Sequence, residues 1–310
     1  MAKGNHTRIQ EVWLAGLPSS EQSKILLFFI LLTAYIIILI GNCLVIYLVL
    51  TRSILHHPMY IFLSSLAFSE IVFTTNLLPI LLHALLNGGA AMNFTNCLAQ
   101  YYLCASLGVA ECFLLAVMSF DRYMAICNPL HYALVMNLKL CLELILCSWV
   151  GGFICMLATI VLICQLHFCG PKFIDHFFCD FAPLLELSCS DTSVVKMETT
   201  LCAFSVTIFP LGFVIGTYVC IILAILRIRT STGRKKTFST CSSHLFVVST
   251  YYGSLIILYV VPLKGLTSTN HKILSLIYTV VTPLFNPIVY SLRNQDIKVG
   301  LKKLLSDIIH

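Results

Sequence analysis

Residues 119–132 read SFDRYMAICNPLHY, and within them Asp121, Arg122 and Tyr123 close a long apolar run that begins near Cys97. The 25 residues from Cys97 to Arg122 make about 37 Å of helix at about 1.5 Å per residue, more than a hydrocarbon core of about 30 Å. One helix therefore sets a thiol on one side of a membrane and a charged triplet on the other.

The rest of the chain has the composition that this helix demands. Of 310 residues, 59% are hydrophobic and only 10% charged, with a mean hydropathy of +0.94, far from that of a soluble domain. Charge-poor tracts long enough to cross a bilayer lie between Lys24 and Arg52, Glu198 and Arg227, and Lys236 and Lys264. Apolar windows predict spans near 25–50, 58–86, 97–128, 140–164, 197–228, 236–263 and 272–292,. The 40 residues between Glu70 and Glu111 carry no formal charge and are too many for one crossing, so they divide at the small, polar segment 88–96, GGAAMNFTN. The fold class expected is an all-α membrane protein. It comprises a tail over 1–24, a seven-transmembrane helix bundle over 25–292, and a tail over 293–310.

Lys and Arg set the orientation. With the amino terminus outside, the inner segments hold Arg52, Arg122, Lys139, Arg227, Arg229, Arg234, Lys235, Lys236, Arg293, Lys298, Lys302 and Lys303, and the outer ones hold fewer, offset by acids. That bias favours an extracellular amino terminus and a cytoplasmic carboxyl terminus. Two sequons then fall outside, at Asn5 and Asn93, and Asn5 is the expected glycan site because Asn93 lies close to the membrane,. No cleavable signal is expected, since the first apolar run starts at Ile25 and is too long for a signal core, so span one reads as a retained anchor,. The carboxyl-terminal segment puts Ile297, Leu301, Leu304, Leu305 and Ile308 on one helical face beside Lys298, Lys302 and Lys303. This pattern predicts a short amphipathic eighth helix on the inner membrane surface. It has no cysteine for a palmitoyl anchor.

Most of the fifteen cysteines fall within spans. Cys43, Cys104, Cys112, Cys127, Cys141, Cys147, Cys155, Cys202, Cys220 and Cys241 read as small apolar core residues,. Cys97, Cys169, Cys179 and Cys189 lie in outer segments, where an oxidising compartment pairs thiols, and spacing leaves three connectivities open,. The outer segment 165–196 is long, aromatic and cysteine-rich, and is expected to fold as a lid,. Its His167, Cys169, His176 and Cys179 admit either loop packing with disulfides or a soft-metal site,.

The strings HHPMYIFLSSLAFSE (56–70), MSFDRYMAICNPLHY (118–132), KTFSTCSSH (236–244) and PLFNPIVYSLRN (283–294), with Gly41-Asn42 and the loop strings HFFCD and LSCSDT, resemble the signatures of vertebrate odorant receptors. That family lies within the rhodopsin-like G-protein-coupled receptors, and the resemblance runs from Gly41 to Asn294. It implies Cys97–Cys179 and Cys169–Cys189 disulfides, and a G-protein-facing triplet at Asp121, Arg122 and Tyr123. The implied partners are an odorant and a stimulatory G protein that raises cyclic AMP, at the plasma membrane and among its lipids. No nucleic-acid partner is expected.

A guanidinium desolvates more readily than an ammonium, so Arg122 is able to pair with Asp121 in one state and with a partner in another. Glu70 and Glu111 are costly inside a bilayer and signal function,. Both match family acids that surround a sodium ion, although most relatives have Asp where this chain has Glu70, so a shared proton is the alternative. No other cofactor is expected.

Small side chains at helical spacing, Cys104, Ala105, Gly108, Val109 and Cys112 in span three, leave room for a ligand,. By resemblance, the cavity is completed by Cys202, Ala203 and Val206 of span five, Tyr252, Leu255, Ile256 and Tyr259 of span six, and Leu276 and Thr279 of span seven. None of these is charged, so the expected ligand is a small, neutral, mainly apolar volatile, met by Tyr252, Tyr259 or Thr279.

Pro210, Pro262, Pro283 and Pro287 loosen spans five to seven,. Span six opens with Arg234, Lys235, Lys236 and the polar FSTCSSH, so its inner end can swing out at small apolar cost,. Phe120 and Phe285 depart from the family pattern, and Phe120 removes a hydroxyl beside the triplet. Two rival classes find no support: repeated halves typical of transporters and catalytic strings such as HExxH or GxSxG are missing from the sequence,.

Overall fold

The computed structural model describes residues 9–18, 21–228, 230–260, 268–293 and 295–309. Asn5, Pro262 and Asn294 lie outside the described residues. In chain order the elements are β1 (Glu11–Leu14), α1 (Glu21–Thr51), α2 (Pro58–Asn87), β2 (Ala90–Asn93), α3 (Phe94–Cys127), α4 (Pro129–Val135) and α5 (Leu138–Cys164). They continue with β3 (Phe173–Ile174), α6 (Phe181–Leu185), α7 (Ser193–Leu226), α8 (Ser231–Leu255), α9 (Ser268–Leu276), α10 (Thr282–Arg293) and α11 (Gln295–Ile309). Among the described residues seven helices are long and apolar enough to cross a membrane: α1, α2, α3, α5, α7, α8, and α9 joined to α10. We number these spans one to seven.

Local sequence starts and stops these helices. Pro58 opens span two at a position where a missing N–H costs nothing, and Gly88 ends it with φ +70, a left-handed conformation that suits glycine,. Asn93 and Asn137 cap spans three and four, their side chains accepting the N–H groups of Thr95 and Leu140 at 2.9 Å,. Pro79, inside span two, is a further helix-loosening proline that hydropathy and motif reading pass over.

Span three is the buried pillar of the bundle, in contact with spans two, four and five along its length. Span one faces outward with Ile25, Leu26, Phe29, Ile30 and Ile40 exposed, as a lipid-facing helix must,. Cys43, Cys147 and Cys220 also face outward. Their reading as core residues is corrected: a thiol is small and apolar enough for lipid as well as for a core. Cys104, Cys112, Cys141 and Cys241 are buried.

The Cys97 end holds structure that hydropathy could not show. Segment 88–96, read as a polar link, contains β2, which pairs antiparallel with β1 (Glu11↔Asn93 to Leu14↔Ala90), while β1 pairs in parallel with β3 (Trp13↔Phe173). Val12 and Leu14 are buried and Glu11 and Trp13 exposed, so the alternation of a half-buried strand is present in four residues of the amino-terminal tail,. Gly89 makes this sheet possible, because a Cβ there would lie within about 2.5 Å of the Trp13 indole.

At the opposite end α11 runs from Gln295 to Ile309 with Ile297 buried and Lys298, Lys302 and Lys303 exposed. The Tyr60 hydroxyl donates to Asp296 at 2.7 Å and ties this helix to span two.

Candidate functional site

At the Cys97 end, two disulfides hold the lid: Cys97–Cys179, with Cα atoms 5.4 Å apart, and Cys169–Cys189, at 5.8 Å. A soft-metal site on His167, Cys169, His176 and Cys179 is therefore excluded, since both thiols are spent. Gln100 of span three is the polar hinge pin under the lid. Its Oε1 accepts the Cys179 N–H at 3.0 Å, and its Nε2 donates to the Asn76 carbonyl of span two at 2.9 Å. Asn76 in turn donates to Cys104 Sγ at 3.1 Å.

Beneath the lid lies a cavity of about 160 Å³. Its wall includes Cys104, Ala105, Gly108, Val109 and Cys112 of span three, Cys202, Ala203 and Val206 of span five, and Leu255 and Tyr259 of span six. Four residues expected there stand elsewhere: Tyr252, Ile256, Leu276 and Thr279. The Tyr252 hydroxyl donates to the Cys112 carbonyl at 2.8 Å, and that of Thr279 to the Ser275 carbonyl at 2.8 Å.

Residues Ile256–Val260 and Ile277–Val281 each form one wide π turn,. Each turn places one tyrosine in the wall, Tyr259 in span six and Tyr278 in span seven.

The wall also takes in Phe73 of span two, Met156 of span four, and Phe178, Asp180 and Phe181 of the lid. Asp180 corrects the expectation of a wall without charge. Its Oδ1 accepts the Phe181 N–H at 2.8 Å and faces the Tyr259 hydroxyl at 3.5 Å. Burial pushes the Asp180 carboxyl above the usual carboxylate range, opposed by the Phe181 N–H and by His271,. Nearby His176 is 1% exposed. Burial, then the charges of His271 and Lys272, lower its pKa to about 3, so the ring is neutral at physiological pH,. The adjoining strings HFFCD and LSCSDT were visible in the sequence, yet which lid residue faces the cavity depends on the disulfides.

Midway down the bundle Glu70 and Glu111 are both buried. Ser69 donates to Glu111 Oε1 at 2.9 Å, and Asn286 Nδ2 of span seven donates to Glu70 Oε1. Glu70 Oε2 and Asn286 Oδ1 are buried without a hydrogen-bond partner among the described residues. Two orphaned oxygens, one of them a carboxylate, fit a hard cation, and an acid proton on Glu70 satisfies them equally well.

At the far end, Arg122 lies 3.3 Å from Asp121, whose side chain is fully buried, while Arg122 is 17% exposed. The Tyr132 hydroxyl of α4 donates to the other Asp121 oxygen at 2.8 Å. Burial and Asp121 push the Tyr132 phenol above its ordinary range, so it stays a donor. Tyr123 is half-buried beside the pair. Tyr218 of span five and His244 of span six are bonded at 2.7 Å and stack with their planes 14° apart. This contact closes spans five and six near Arg122, whose charge reaches both. Phe120 packs against Phe213 and takes no part in the polar group. Sequence reading missed Tyr132, Tyr218 and His244, although Tyr132 stands within the quoted LHY.

A seven-helix membrane bundle with a lidded cavity at one end and a caged Asp–Arg pair at the other defines the class of G-protein-coupled receptors. The olfactory receptor family profile matches residues 31–308. Olfactory receptor 5P52 of Mus musculus is 43% identical over 305 residues, covering 98% of each chain. Olfactory receptor 11A1 of Homo sapiens is 41% identical over 98% of this chain and 96% of its own, and olfactory receptor 226 of Rattus norvegicus 41% over 98% and 95%. The chain belongs to the olfactory receptor family, whose members are receptors and not enzymes.

Proposed function

We propose that this receptor takes a small, mainly apolar, neutral volatile into the cavity between spans three, five, six and seven, under the lid. Binding releases Arg122 to engage a stimulatory G protein, which raises cyclic AMP. The observation that carries this reading is the cavity itself, about 160 Å³ and walled mostly by apolar side chains. Apolar cavities of about 150 Å³ accept a benzene-sized guest, which points to a single ring or a short chain. Asp180, the acid in the wall, is engaged by the Phe181 N–H and faces the Tyr259 hydroxyl, and Tyr259 offers the ligand one hydroxyl. The receptor sits in the plasma membrane with its amino terminus outside, in support of which both disulfides lie at the end opposite Arg122,. Lipid covers the exposed apolar faces, and the α11 lysines meet headgroups.

In cells reporting cyclic AMP, a panel of volatiles should find a ligand whose response disappears in Arg122→Ala at unchanged surface level. A response that survives that substitution rejects the switch. Gly108→Leu tests the cavity separately. A Cβ there would lie 2.8 Å from the Tyr278 hydroxyl, so a leucine fills the space and should weaken the best ligand at least about tenfold, a loss of about 1.4 kcal/mol. An unchanged response to that ligand rejects the placement.

We further propose a sodium ion at Glu70, with Glu111 as its neighbour. Exchanging external sodium for a bulky organic cation should shift the dose–response curve of the wild type and leave that of Glu70→Gln in place. A wild-type curve indifferent to sodium rejects the ion.

A further inference from the structure

We propose a binding site for one divalent transition ion, of the zinc type, formed by His176 and Asp180 of the lid and His271 of span seven. The ligating atoms of these three side chains all lie within 4.8 Å of one another. Tetrahedral zinc with bonds of about 2.1 Å holds its ligand atoms about 3.4 Å apart, so side-chain rotations of about an ångström close the set. Two imidazoles and one carboxylate suit zinc and not calcium or magnesium, which take oxygen.

The second observation is the orphaned histidine. His176 is 1% exposed, yet neither ring nitrogen reaches hydrogen-bond geometry with a partner among the described residues. A buried imidazole without a partner is costly. Its ring is held from two sides, stacked on Phe177 and edge-on to Phe178, both with centroids 4.6 Å away, and His271 meets it edge-on at 5.7 Å. The aromatic clamp presents the ring toward the other two residues instead of toward water. Lys272, the cation beside the cluster, is already paired with Asp175 at 2.6 Å, which offsets its repulsion of an incoming ion.

Bound there, the ion joins the lid to the outer end of span seven. Three protein ligands leave a fourth position for water. Since Asp180 also stands in the cavity wall, occupancy of the site sets how firmly the cavity is roofed. The proposal does not rest on the odorant reading, because its readout is bound metal.

The test uses purified full-length receptor in lipid nanodiscs, stripped with chelator, exposed to zinc, desalted and analysed for metal. The wild type should retain one zinc more than His176→Ala/His271→Ala, which allows for adventitious binding elsewhere. A conservative variant, His271→Cys, should regain that ion and prefer cadmium over zinc relative to wild type, since a thiolate is softer than an imidazole. Equal zinc in wild type and double variant overturns the site. So does a wild type that holds none, or a His271→Cys variant that fails to regain the metal.

Discussion

Gly152→Ala should reduce folded receptor at the cell surface several-fold. Gly152 lies where span four presses on span three, and a Cβ there would come within 2.5 Å of the Ser106 carbonyl oxygen and 2.8 Å of the Ala110 nitrogen. Both atoms belong to the backbone of the central pillar, so no side chain can rotate away; the two helices must separate. Overpacking of this kind costs about 1–3 kcal/mol, and a loss of about 1–2 kcal/mol changes cellular abundance several-fold. Gly212 of span five is the control, because a Cβ there meets nothing within 4 Å. Gly212→Ala should leave the surface level unchanged or raise it, alanine being the better helix former. Surface immunolabelling of tagged receptor reads both. Equal losses in the two variants would refute the close-packing account.

Cys97→Ser should be the more damaging of the two disulfide knockouts. The Cys97–Cys179 bond closes 82 residues and the Cys169–Cys189 bond 20. Chain entropy values such closures at about 4–5 and about 3 kcal/mol. Both are upper bounds here, since an unfolded chain still threaded through the bilayer has less freedom to lose. Position reinforces the ranking. Cys179 is adjacent to Asp180 and donates its N–H to Gln100, so releasing it frees the cavity roof from span three. Cys97→Ser should abolish ligand response and lower surface level, and Cys97→Ser/Cys179→Ser should be no worse, since the same bond is already gone. A Cys169→Ser variant that loses more than Cys97→Ser would reverse the ranking.

Much of the bundle was legible because a bilayer imposes length and composition on each crossing. The interruption at Gly88, the charges around Arg122 and the amphipathic spacing from Ile297 onward all reflect local rules. In the candidate cavity the span-three face from Cys104 to Cys112 keeps a 3.6-residue period, so its small residues stand together in the wall. Spans six and seven break that period at Ile256–Val260 and Ile277–Val281. In span seven the resemblance pointed to Leu276 and Thr279, whereas Tyr278 is in the wall.

Seven crossings, the polar triplet at one end of span three and the lid cysteines were determined by the sequence itself, since hydropathy and charge act on each segment alone. Folding in three dimensions decided the rest: Asp180 over the cavity, Tyr132 on Asp121, and His176 beside His271. Each of those pairings joins residues from different elements. Their meeting depends on how packed helices and a cross-linked lid share space, which no period along a single segment encodes.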